Sequence, residues 1–249
     1  MIALLSEPQE VLLSGSAQFG YFLSGIVYFL LPAAAFFILK KYGAAKIYPV
    51  IVGAIVYFLA VRFSDLIAHF AGFTQSVGNK VVIAAELVCF LEEAGRFLAM
   101  KYPLTDIRKT SAAFCYGIGH GGLECLIRGI QSFRIVQAGA LRDVPVQSLP
   151  ISLLTCVHSA VIFGVQIALS LLIFYKMHKD CDEKRGLIFA ILLHIFVNGA
   201  GWLASFSGSL LLRNAVGIVT GCIAIAVVCR LIDFRSCIDE ILYPEIGEP

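Results

Sequence analysis

The stretch from Val81 to Met100, VVIAAELVCFLEEAGRFLAM, reads as a membrane-spanning helix interrupted by Glu92-Glu93-Ala94-Gly95-Arg96. A charged side chain at the centre of a spanning helix costs ~2.5–3.5 kcal/mol to insert, so this trio unpaired would cost on the order of 8–10 kcal/mol. A chain tolerates that only where the charges meet protein, water or a metal. The stretch therefore marks a site as well as a span.

Composition agrees with a membrane solvent. Of 249 residues, 59% are hydrophobic and 14% charged, and the mean hydropathy is +0.87. A soluble domain carries about 25% charged residues. The net charge of +2 comes with no basic stripe, which argues against nucleic acid as a partner. Eight cysteines show no CxxC spacing and lie mostly in apolar runs, the pattern of small buried hydrophobes rather than of disulfides or zinc knuckles. The first ten residues hold Glu7 and Glu10 and lack a basic n-region, so they are not expected to act as a cleaved signal.

A spanning helix needs roughly 20 mostly apolar residues. Seven stretches qualify as candidates: Ala17–Leu39, Ile47–Phe70, Val81–Met100, Ser111–Ile127, Pro150–Tyr175, Leu187–Phe206 and Leu210–Cys229. The expected fold is an all-α, polytopic helix bundle forming one domain over residues 1–249, with its motif core at about 81–198. The longest connection, Arg128–Leu149, is read as a loop that could hold a short interfacial helix. Placing the N-terminus outside puts twelve Lys and Arg residues on the inner side and five on the outer, which favours N-out and C-in. A retinal Schiff base is excluded, because the seventh stretch contains no lysine.

Helical spacing sorts the polar residues at membrane depth. Residues four apart lie about 40° apart around the axis, so Glu92 and Arg96 share a face, and Arg96 can pair with either glutamate and leave the other for chemistry. Glu86 falls on the same stripe as Glu93. In the fourth stretch, His120 and Glu124 are four apart within a run of four glycines, which lets a neighbouring helix approach closely. The fifth carries His158, and the sixth His194 and Asn198, again four apart. Taken singly, each has an ordinary structural reading as a hydrogen-bonded core residue or an ion pair. Together they put imidazoles and carboxylates on four helices, as bundles do when they build metal sites. Imidazole and carboxylate ligands fit a divalent metal, zinc or a similar first-row ion, with His120, His158 and His194 as the imidazoles. A nearby carboxylate can then serve as proton acceptor, Asn198 as an oxyanion donor, and Arg96 as the group that holds the glutamates in register. Arg62 and Asp65 read as a local structural pair. His69 and His178 read as interfacial residues, and Arg128, Arg134 and Arg142 as solvated.

At these residues the chain resembles the CAAX-protease and related (CPBP or ABI) membrane proteins, with the PrsW group. The matching elements are Glu92-Glu93-xx-Arg96, His120-xxx-Glu124, His158 and His194-xxx-Asn198. The run Gly117-Ile-Gly-His-Gly-Gly-Leu-Glu124 looks most like the YhfC branch, described as intramembrane metalloproteases. The Glu-to-Arg spacing is shorter by one than in the CAAX enzymes and resembles PrsW, and Glu124 stands where His is common. The resemblance implies hydrolysis of a peptide bond in a membrane protein or peptide, in a bacterial-type plasma membrane. In that reading Glu92 or Glu93 activates the water, Glu124 assists or binds metal beside His120 and His158, and His194 and Asn198 bind metal or stabilise the oxyanion. Two other readings of the same residues stay open: a catalytically inactive scaffold of the same superfamily, and a proton- or cation-coupled carrier.

Overall fold

The structure, a computed structural model, describes residues 10–70, 79–105, 109–142 and 147–243. It is an all-α membrane bundle. Among the described residues the elements run β1 (Glu10–Leu12), α1 (Gly15–Lys41), α2 (Ile47–Phe70), α3 (Asn79–Lys101), α4 (Thr110–Ala138), β2 (Ala140–Arg142), α5 (Leu149–His178), α6 (Glu183–Ser205), α7 (Leu210–Leu231) and α8 (Phe234–Leu242). Among the described residues, five helices are long and apolar enough to cross a membrane: α1, α2, α5, α6 and α7. The helices α3 and α4 are as long as these and pack within the same bundle, but they carry its polar residues.

Helix starts follow side-chain chemistry. Ser14, Asp182, Ser209 and Asp233 each accept a hydrogen bond from a backbone N–H in the first turn of the helix they precede. The helix α4 lacks such a cap of its own. Glu240 of α8 substitutes, accepting from the Thr110 backbone N–H at 2.8 Å and from its hydroxyl at 2.6 Å. A carboxylate there also suits the positive end of the helix dipole.

The connection after Ile127 differs from the sequence reading. The helix α4 continues to Ala138, so Arg128 and Arg134 lie on it, and β2 pairs antiparallel with β1 in place of an interfacial helix. Hydropathy falls at Arg128, but the backbone does not, because this flank of α4 faces a polar cavity rather than lipid. Arg62 and Asp65 do pair, 3.4 Å apart and exposed.

The helices α4 and α5 form the centre. The first packs on α1, α2 and α5, and the second on α1, α4, α6 and α7. Burial follows: 61% of the most apolar window of α5 is buried, against 17% in α2 and in α6. The α2–α4 contact depends on glycine. A Cβ on Gly119 would collide with the Val50 carbonyl, and one on Gly53 with the Tyr116 carbonyl. This close crossing fixes the turn of α4 that carries His120. One end of the bundle is a dry apolar core built from Met100, Leu169, Leu172, Ile173 and Val228. The other end is hollow and polar.

Overpacking a tight contact costs ~1–3 kcal/mol. Gly119→Ala is expected to lower the thermal midpoint of the purified protein, whereas Gly201→Ala, inside α6 with nothing within 4 Å of the added carbon, raises it slightly. Equal midpoints for the two variants would contradict the packing described.

Candidate functional site

The helix α3 places Glu92, Glu93 and Arg96 in the interior, at 4%, 0% and 0% exposure. Arg96 selects Glu93, its Nη1 lying 3.0 Å from both carboxylate oxygens. Its Nη2 donates to Gln166 Oε1 of α5 at 2.5 Å. Gln166 Nε2 in turn donates to Glu124 Oε2 at 3.4 Å, and Arg128 donates to Glu124 Oε1 from both Nε (3.1 Å) and Nη2 (2.7 Å).

Glu93 has a second partner, His194 of α6, whose Nδ1 is 2.7 Å from Oε1. An ionised carboxylate only accepts, so Nδ1 carries the proton and Nε2 is turned toward Glu92, 3.8 Å from its Oε2. Glu92 meets His120 of α4, with Oε2 3.0 Å from Nε2. The His120 ring is held between Tyr57, edge-on at 5.3 Å, and Tyr116, stacked at 5.9 Å. The result is one buried set of polar contacts across α3, α4, α5 and α6.

The two adjacent glutamates therefore have different surroundings. Glu92 and His194 line a cavity of about 410 Å³, whereas Glu93 and Arg96 are not on its wall. Asn198 is on the wall as well, with one N–H donated to Cys89 Sγ at 3.0 Å. The same wall includes Glu124, His158, Gln166, Trp202 and Arg213.

The expected ligand set His120, Glu124, His158 and His194 does not gather around one point. His120 and His194 are tied to Glu92 and Glu93, Glu124 is held by Arg128 and Gln166, and His158 sits against Gly217 of α7. In chemistry these donors suit zinc. In arrangement they do not: among the described residues no three His, Cys, Asp or Glu groups are placed to hold an ion, and the closest donors are closed on one another as hydrogen bonds. Helical spacing gives the face a residue occupies, not which faces meet. Glu86, expected on the stripe of Glu93, faces α6 as Glu93 does, and stands against Gly199. Gln166 and Asn214 escaped the sequence reading. The available signal was an amide inside an otherwise apolar span.

An all-α integral membrane bundle with a buried carboxylate–imidazole array beside a polar cavity is thus the class this chain defines. Residues 27–143 match the family described as YhfC intramembrane metalloprotease. The chain is also 29% identical, over an aligned length of 211 residues, to the uncharacterized membrane protein YhfC of Bacillus subtilis (strain 168), covering 71% of this chain and 80% of that protein. No solved structure matches this chain.

Removing one partner of a buried ion pair costs ~3–5 kcal/mol, while neutralising both costs far less. Arg96→Met should therefore destabilise the protein strongly in denaturant titrations, and Glu93→Gln/Arg96→Met should regain most of the loss. An Arg96→Met variant as stable as the wild type would show that the pair is not buried as described.

Proposed function

We propose that the chain is an intramembrane endopeptidase that hydrolyses a peptide bond of a membrane-associated protein or peptide, with water activated by Glu92. The observation that carries this reading is the division of labour between the glutamates: the Arg96-bound Glu93 is off the cavity wall, and Glu92 is on it. The family description supports the reaction class.

In this reading Glu92 takes a proton from water as the oxygen attacks the peptide carbonyl, and returns it to the departing amine. His120 orients Glu92 by its Nε2–H. Glu93 holds His194 by Nδ1 and so aims Nε2 at the reacting water. Asn198 keeps one N–H beyond the one given to Cys89, and that group can donate to the developing oxyanion. Arg96, off the cavity wall, positions Glu93 without touching the substrate, and Gln166 holds Arg96 from the wall. The family description implies a divalent metal, for which zinc is the natural choice with imidazole and carboxylate donors. Such an ion would require the Glu92–His120 contact to open, so the proton transfers assigned here belong to the side chains themselves.

The test is cleavage of membrane-anchored reporter peptides by the purified protein in lipid vesicles. Loss of one general base slows a reaction by ~10²–10⁴-fold, so Glu92→Gln should fall by that order while keeping the wild-type thermal midpoint. Equal rates for wild type and Glu92→Gln would end the proposal. Chelation followed by zinc readdition, on the same reporters, reads the metal requirement directly.

A further inference from the structure

The cavity carries a second polar group away from the Glu92–His194 wall, and the hydrolase chemistry leaves it unused. Arg213, in the first turn of α7, lines the cavity, and no hydrogen bond or ion pair holds it among the described residues. No acidic residue lies in that turn to offset it, although a cation there opposes the helix dipole. Arg128 lines the same space. Its charge is shared with Glu124, yet its side chain keeps 52% of its surface exposed, against 14% for the glutamate. Asn214, 1% exposed, lies on the wall next to Arg213 in sequence. Its amide N–H is given to Thr155 Oγ1 at 2.8 Å, and Thr155 spends its own proton on the Ile151 carbonyl. This fixes the orientation of the amide, whose Oδ1 is turned to the His158 ring, and anchors the turn of α7 that carries Arg213.

These groups have the chemistry of a peptide site. The arginines offer donors to a carboxylate. Dimensions narrow the ligand. The cavity, about 410 Å³, is in the ~300–1,000 Å³ range of small-ligand pockets. A spanning helix ~30 Å long and ~10 Å across is several times larger. Along α4, His120, Glu124 and Arg128 stand on successive turns, so Arg128 is about 12 Å along the axis from the residue that touches Glu92. An extended chain covers that in three to four residues at ~3.3 Å each.

We propose that Arg213 and Arg128 form a carboxylate-binding subsite that selects short extended peptide segments bearing an anionic group three to four residues from the bond presented to Glu92. The position of that bond rests on the endopeptidase reading; the binding of a carboxylate by Arg213 does not.

The chain holds a single tryptophan, Trp202, and it lines this cavity, so its fluorescence reports occupancy without turnover. The full-length protein in vesicles is titrated with three tryptophan-free tetrapeptides. One has a free C-terminal carboxylate and no acidic side chain, one is amidated with a glutamate, and one is amidated with glutamine in its place. A charge-assisted hydrogen bond is worth ~1.5–3 kcal/mol, so at least one carboxylate peptide should bind about tenfold or more tighter than the neutral one. Which of the two does so separates a chain terminus from an acidic side chain as the group recognised. Arg213→Gln should bring the three affinities together, and Arg213→Lys should restore part of the difference. Three equal affinities in the wild type, no binding of any peptide, or discrimination that survives Arg213→Gln overturns the subsite. Failure of the endopeptidase reading shows separately, as absence of reporter cleavage by a protein that still discriminates in the Trp202 titration.

Discussion

The burial of Arg96 against Glu93 is the constraint on which the rest depends. Both side chains are at 0% exposure, and neither charge is tolerable there alone. The pair is also too short of partners to stand by itself. His194 from α6 and Gln166 from α5 supply further hydrogen bonds to the two groups. Three helices are therefore tied to one guanidinium and one carboxylate, and the depth at which α3, α5 and α6 meet is set by polar chemistry rather than by apolar packing. One consequence is functional: with Glu93 occupied by Arg96, Glu92 is left to face the cavity with His120 behind it.

This polar array sits at a boundary. On one side lies the apolar core around Leu169, Leu172 and Val228; on the other lies the cavity lined by Asn198, Gln166 and Arg213. An apolar floor under a polar vestibule strengthens electrostatic interactions at the junction, since the effective dielectric falls toward the core. The small residues of α4 make this possible by allowing α2 to press against the turn that holds His120, and the Glu240 cap ties the start of that helix to α8.

Much of this was legible in the residue order, for a physical reason. Charge inside an apolar run is expensive, so Glu92, Glu93 and Arg96 announce an interior site without knowledge of the fold. The i,i+4 relation placed His120 with Glu124 and His194 with Asn198 on shared faces. Which faces meet was not legible, because that depends on helix–helix contacts far apart in sequence. Four residues were expected to gather around a metal, and instead Glu124 turned to Arg128 while His120 turned to Glu92. The end of α4 carries no signal in the sequence, because an arginine on a cavity-facing helix has the same hydropathy as one in a loop. The pairing of β1 with β2 spans three residues on each strand, too few to leave a pattern.

An experimental density map of the protein in a lipid disc, at a resolution that separates side chains, tests the central claim most directly. It should show one carboxylate of α3 joined to both the Arg96 guanidinium and the His194 ring, and the adjacent carboxylate joined to His120 and open to the vestibule. Finding both glutamates on Arg96, or either one turned toward lipid, would contradict the account.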